Sequence, residues 1–443
     1  MKKSILFLFI SCFVCVAQLS GKPAVKTQQV KHYAISQKAM LNRFLDYLAI
    51  ESASFYPDEN EYPMTAAQKE MGELLASDAK ALNADVTLSE WGYVYVNIPS
   101  NVVKPIPTIG IVCHMDITPE APHTGIKPTV LKYKGGIINL GNGILDPSTP
   151  QGADLNNLIG KTLIHADGTT ILGGDDKNGC AILMSIIETV QQQGFKHGPL
   201  QFVFCPNEDV GLAALKIDTT YFNPDILIDV DLDGGKKVAV SNFTAEGLKV
   251  RFIGNDVHPV VAKELHLADA LAAVSTYIAR IPLQYRPENR EGKQGYLQAY
   301  ELRQSDDKKS YTIETRIRYF DRKEGEEFNR ILRENLQYVQ ESFPYVKIEI
   351  MAEGLQYANV AYTMHPQSIP LIQEAANRCK IELEMEDLRA GTTAAMLSTK
   401  GLPGGLSIFS GQHNDHSIYE YSVLDEMYDA YILLLTMIDE IQK

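Results

Sequence analysis

Histidines and carboxylates stand just past the ends of short apolar runs in this sequence, and their types suit a divalent cation. The run TIGIVC (108–113) leads into His114-Met115-Asp116, and LQFVFC (200–205) into Pro206-Asn207-Glu208-Asp209. DILIDV (225–230) leads into Asp231-Leu232-Asp233-Gly234, and LSIF (406–409) into a loop ending at His413 and His416. A further pair, Asp175-Asp176, follows Gly173-Gly174. Imidazole with carboxylate is the donor mix that suits zinc, cobalt or manganese. Each piece alone has a plainer reading. A histidine beside an aspartate is a common surface hydrogen bond, Asp175-Asp176 suits a helix N-cap, Glu208-Asp209 a solvated loop, and Asp231 and Asp233 a turn before Gly234-Gly235. Their joint occurrence, each after an element, points to one cleft, because clustered carboxylates repel and a cation relieves them.

The elements that must position these groups are legible from the pattern. The four apolar runs read as strands of an α/β sheet, whose carboxyl ends converge on a binding crevice. After Asp176 the residues Ala181, Ile182, Met184, Ile186, Ile187 and Val190 give a helix an apolar face, and Gly194 ends it. A last helix covers about 424–441. Between about 246 and 356 the texture changes. KVRFI (249–253), a long helix after Ala262, the alternating TIETRIRY (312–319), a helix around 328–342 and a strand at 346–351 give a β-α-β-β-α-β order, the ferredoxin-like pattern. The expected organisation is a signal segment at 1–23, a first domain formed by 24–245 and 357–443 with a mixed central sheet flanked by helices, and an inserted α+β domain at 246–356.

The balance of 41 Lys+Arg against 55 Asp+Glu, net −14, has no basic stripe, so nucleic acid is not an expected partner. Lys2 and Lys3 precede an apolar stretch (5–16) too short to span a bilayer, followed by small residues at Ala17, Ser20 and Gly21. That predicts a cleaved secretory signal, an exported protein, periplasmic or extracellular, and no stable membrane insertion after cleavage. An uncleaved anchor is the alternative, and the sequence around Cys12 fits a lipobox poorly. Cys113, Cys180, Cys205 and Cys379 form no C-x-x-C pair and read as small buried hydrophobes rather than a disulfide or a nucleophile.

Seven segments carry a resemblance: HMDITPE (114–120), DGTTILGGDDKNG (167–179), PNEDVG (206–211), DLDGG (231–235), GNDVHP (254–259), RYFDR (318–322) and FSGQHNDHSIYEY (409–421). Together they resemble the peptidase T (tripeptide aminopeptidase) branch of the dinuclear zinc peptidases, which also include carboxypeptidase G-like enzymes and aminoacylases. The likeness runs from about Leu41 to the C-terminus. It implies a zinc-peptidase catalytic domain with an inserted lid domain, two divalent ions per chain (zinc, with cobalt or manganese as alternatives), and release of the N-terminal residue from short peptides with a free N-terminus. It also implies possible homodimers through the lid.

Residue by residue, His114 resembles the first-metal ligand, Asp116 the carboxylate orienting it, Asp175 the bridging ligand and Glu208 the general base. Asp209 resembles the second-metal ligand, Asp233 a first-metal ligand, and His416, four residues before Glu420, the last ligand. His258 resembles the lid histidine that meets the oxyanion. Arg318 and Arg389 are candidates for holding a substrate carboxylate, with a structural ion pair the equal alternative. Departures are Asp209 where the family has a second glutamate, Thr393 where it has an aspartate, and Val260 after the lid His-Pro. The competing functions are a dipeptidase, a carboxypeptidase or an N-acyl amino acid deacylase, and a non-catalytic binding protein on the same fold.

Overall fold

The computed structural model describes residues 30–56, 62, 64–255 and 257–442. The expected signal segment lies outside them. Among the described residues the largest element is an eight-stranded sheet in the order Asp85–Leu88, Val94–Ile98, Leu200–Cys205, Ile109–His114, Ile226–Leu232, Gly405–Phe409, Lys237–Asn242, Glu384–Leu388. The four middle strands from Leu200–Cys205 to Gly405–Phe409 run parallel. Strands of that kind are covered on both faces and read as unbroken apolar runs; Ile109–His114 is buried at every position. Parallel pairing also puts their carboxyl ends on one edge, with His114 opposite Cys205 and Phe409 opposite Leu232.

One face of this sheet is covered by the helix Gly174–Val190, which is itself sandwiched against Gln37–Leu48 and Leu424–Glu440. Almost all its residues are buried, so the amphipathic face expected from sequence is wrapped on all sides. The other face is packed by a smaller apolar cluster including Tyr93, Tyr95, Val112, Phe222 and the short helix Thr393–Ser398.

A second sheet, fully antiparallel, has the order Tyr296–Gln304, Ser310–Tyr319, Thr244–Ile253, Lys347–Tyr357. The helices Ala270–Ala279 and Arg322–Ser342 share its own apolar cluster around Val250, Phe252, Ile313, Phe328 and Leu332. The long helix expected after Ala262 does not form. A 3-10 turn at Pro259–Val261 is followed by His266 at φ 54, and the helix starts only at Ala270, where Asp269 caps it by accepting from the Ala272 amide at 2.9 Å. The positive φ breaks the helical path and the cap restarts it. No helix among the described residues is long and apolar enough to cross a membrane.

Candidate metal centre

The carboxyl edge of the large sheet gathers the chemistry. His114 is the last residue of its strand, and Glu208 and Asp209 follow the next strand after Asn207, whose φ is 59. Asp175 stands at the mouth of the buried helix, after a left-handed Gly173 (φ 78) where a Cβ would sit 3.1 Å from Ile117. His416 comes from a hairpin loop whose stems pair Gln412 with Ser422 and His413 with Tyr421.

Asp175 lies between the two histidines. Its Oδ1 is 2.9 Å from His114 Nε2 and its Oδ2 is 3.3 Å from His416 Nε2. At Nε2 each histidine meets one further carboxylate: Asp231 Oδ1 lies 3.6 Å from His114 Nε2, and Asp209 Oδ1 lies 2.9 Å from His416 Nε2. The result is two foci of one imidazole and two carboxylates, with Asp175 common to both. Donor atoms of His114, Asp175 and Asp209, and of His114, Glu208 and Asp231, converge within 4.8 Å.

A surrounding layer fixes these groups. Asp116, fully buried, accepts from the amides of Glu208 at 3.0 Å and Asp209 at 3.2 Å. Its carbonyl and carboxylate also lie 3.1 and 3.5 Å from His114 Nδ1, which leaves Nε2 to face the cluster. Glu120 Oε2 meets His416 Nδ1 at 3.2 Å while Tyr56 donates to Oε1 at 2.9 Å. Glu420 Oε2 accepts from the Leu172 and Gly173 amides at 2.7 and 2.8 Å, and Oε1 from the Asp175 amide at 3.0 Å. Glu420 therefore moulds the loop that presents Asp175. Substituting Glu420→Gln puts a donor amide against backbone donors. We expect metal affinity or activity to fall about ten- to hundredfold, as for other groups that orient ligands, read by metal titration and steady-state rates.

The electrostatics fit a cation. Among the described residues no lysine or arginine pairs with Asp175, Asp209, Glu208 or Asp231. Burial pushes Glu208 up to about 8 and Asp209 to about 6, with neighbouring carboxylates adding to it, and burial with the Asp175 charge pushes Asp231 up as well. Burial would raise Asp175 too, but hydrogen bonds from His114 and His416 hold it well below the carboxylate range. Asp209 Oδ2 is buried with no hydrogen-bond partner, and an orphaned buried carboxylate oxygen is costly. Two divalent ions answer both features, so the residues present fit them.

Asp233 is not part of this cluster, contrary to the sequence expectation. Its strand runs on through Leu232, so Asp231 remains in the sheet and reaches His114, with its side chain only 13% exposed. Asp233 lies past the strand end, where Gly234 turns the chain at φ 76; its side chain is 48% exposed and pairs with Lys237 at 3.3 Å. His258 is exposed at the start of the 3-10 turn, its Nδ1 accepting from the Val260 amide at 3.3 Å. No polar contact among the described residues ties it to the cluster. Arg318 spends its guanidinium on the carbonyls of Glu246 and Ile317 and on Gln356, all at 3.1 Å. Arg389 donates to the carbonyls of Gly292 and Gln294 and lies over Phe243. Both arginines brace backbone here. At the departure from the family pattern, Thr393 Oγ1 is buried without a partner.

His413 has a separate place. It stacks on Tyr421 at 4.7 Å, with Nε2 2.8 Å from Glu426 and Nδ1 3.6 Å from Asp154. Burial opposes its charge, but Asp154 and Glu426 overcome it and lift the imidazole to about 9. An unfolded histidine titrates near 6.5, so this ion pair stabilises the fold fully below about pH 6.5 and is lost as pH rises through about 9. Urea unfolding should show His413→Gln weaker than wild type by up to about 3 kcal/mol at pH 6, with the gap closing by about pH 9.5.

The sequence profile of Peptidase family M20/M25/M40 matches residues 163–440. A protein called Peptidase T from Escherichia coli (strain SE11) is 33% identical over 395 residues, 88% of this chain and 95% of that protein. In solved structures the fold is shared with an aminopeptidase PepT from Bacillus cereus (TM-score 0.70, 19% identity, 92% of this chain, 100% of that one). It is shared too with the YXEP protein of Bacillus subtilis, described as a dinuclear metal binding peptidase from the M20 family (TM-score 0.60, 11% identity, 91% and 99%).

Proposed function

Because this chain belongs to peptidase family M20/M25/M40, we propose that it is a dinuclear metallo-aminopeptidase that releases the N-terminal residue from short peptides, tripeptides foremost. The observation that carries the reading is Asp175 shared between His114 and His416, each with its own second carboxylate. His114, Asp231 and Asp175 would hold one ion, and His416, Asp209 and Asp175 the second. When bound, the ions supply polarisation of the scissile carbonyl and a water acidic enough to ionise near neutral pH. Zinc is the proposed occupant, with cobalt or manganese compatible with the same donors.

The protein's own groups do the rest. Glu208 borders the His114 focus and has no ion-pair partner among the described residues, so its carboxylate is free to accept a proton from water and return it to the leaving amine. Asp116 grips the Glu208 and Asp209 amides and so fixes base and ligand relative to His114. The same proposal includes export, supported by the Lys2-Lys3 and apolar 5–16 pattern; intact mass of the natively secreted protein tests it.

The deciding experiment is hydrolysis of Ala-Ala-Ala, its N-acetyl form and its C-terminal amide by the purified protein, with metal content measured before and after chelation. Release of N-terminal Ala from the free and amidated peptides, lost on chelation and restored by zinc or cobalt, is expected. Cleavage of the acetylated form alone would identify a deacylase, and a requirement for a free C-terminus would identify a carboxypeptidase.

A further inference from the structure

We infer that Asp415 is a specificity-determining residue that receives the α-ammonium group of the peptide substrate. The inference rests on the aminopeptidase reading above. An enzyme that cuts the first peptide bond meets a positive nitrogen very close to the reacting carbon. Standard bond lengths put the α-nitrogen about 2.5 Å from the scissile carbonyl carbon. A carboxylate accepting from that ammonium at about 2.8 Å must then lie within roughly 5 Å of the reacting centre.

Few carboxylates meet that condition. Asp175, Asp209 and Asp231 face the histidines and are committed to the cluster, and Glu208 is the base. Asp233 is nearby, but its charge is matched by Lys237 at 3.3 Å. Asp415 remains. A carboxylate oxygen of Asp415 lies within 4.8 Å of donor atoms of both Asp175 and His416, the focus where Asp209 also leaves its buried Oδ2 unpartnered. Asp415 is exposed toward solvent and has no lysine or arginine partner among the described residues. A negative charge in that position, beside the reacting atoms and not neutralised by the protein, calls for a small cation brought by the substrate.

The residue is also held in place. Asn414 and His416 on either side both adopt left-handed backbone, at φ 57 and 58. Asn414 Nδ2 donates to the carbonyls of Gln151 at 2.8 Å and Tyr419 at 3.1 Å, and Ser417 Oγ donates to the Asn414 carbonyl at 2.7 Å. The loop that presents the ligand His416 thus presents Asp415 in a fixed relation to it.

The test compares wild type with D415N and D415E on Ala-Ala-Ala and N-acetyl-Ala-Ala-Ala, with bound metal counted in each protein. D415N should keep the wild-type metal content and lose about ten- to hundredfold in kcat/KM on the free peptide, the worth of one charged hydrogen bond. Its residual rate on the acetylated peptide should not change, so discrimination between the two substrates narrows, and D415E should recover part of the loss. An unchanged kcat/KM on Ala-Ala-Ala overturns the assignment alone. Loss of a metal ion from D415N overturns it in favour of a ligand role. A wild-type enzyme that leaves Ala-Ala-Ala intact refutes the aminopeptidase reading, and the assignment with it.

Discussion

Replacing Glu208 by Gln lowers kcat by about a hundred- to ten-thousandfold while the protein keeps its metal ions, the range expected for losing a positioned general base. The substitution is nearly isosteric. The hydrogen bond that fixes Glu208 is its own amide donating to Asp116, which a side-chain change leaves in place. Glu208 also makes no ion pair whose loss would disturb the cluster. What goes is the ability to take a proton in a setting where burial favours the protonated acid and so raises proton affinity. KM should move little, because the lost interaction is made only as water attacks. Steady-state kinetics beside metal analysis decides the point: a variant within threefold of wild type removes Glu208 from the base role.

The second large effect separates two aspartates that lie two residues apart. Asp231→Asn should lose an ion and more than a hundredfold in activity, exceeding the ten- to hundredfold typical of groups that merely orient ligands. Asp233→Asn should leave metal content intact and change activity by less than fivefold, since it breaks an ion pair that is exposed and worth under about 1 kcal/mol. Metal stoichiometry after gel filtration reads the difference directly. A reversed pattern would return Asp233 to the site and displace Asp231 from it.

The strand ends that build the site were legible because each is a run of buried apolar residues broken by an acid or histidine. His114, Asp175, Glu208, Asp209 and His416 do meet in space. The choice between Asp231 and Asp233 was not legible in the same way. It turns on the strand continuing two residues past DILIDV, and a mixed run of Asp-Leu-Asp does not reveal where pairing stops. Glu420 illustrates a different limit. It shapes the Asp175 loop through hydrogen bonds spanning 245 residues or more of sequence, and no local pattern encodes a partner so remote. The signal that could have found it was the fixed spacing from His416 to Glu420, which aided ligand choice and left the role of Glu420 itself unread. Asp415 was hidden similarly, since a loop of polar residues does not say which of them faces the cluster, and nothing local showed that His413, named beside His416, turns away to pair with Glu426.

A carboxylate divided between two histidine foci turns the occupancy of the two positions into a coupled equilibrium. Asp175 gives one oxygen to each focus, so an arriving first ion draws on charge that the second would use, and the second also meets a dication already in place. The second ion is therefore expected to bind less tightly than the first, with each weakening the other equally by linkage. Removal by a chelator should proceed in two stages, with a singly loaded protein in between. The activity of that half-filled state would tell which of the two positions the reaction depends on.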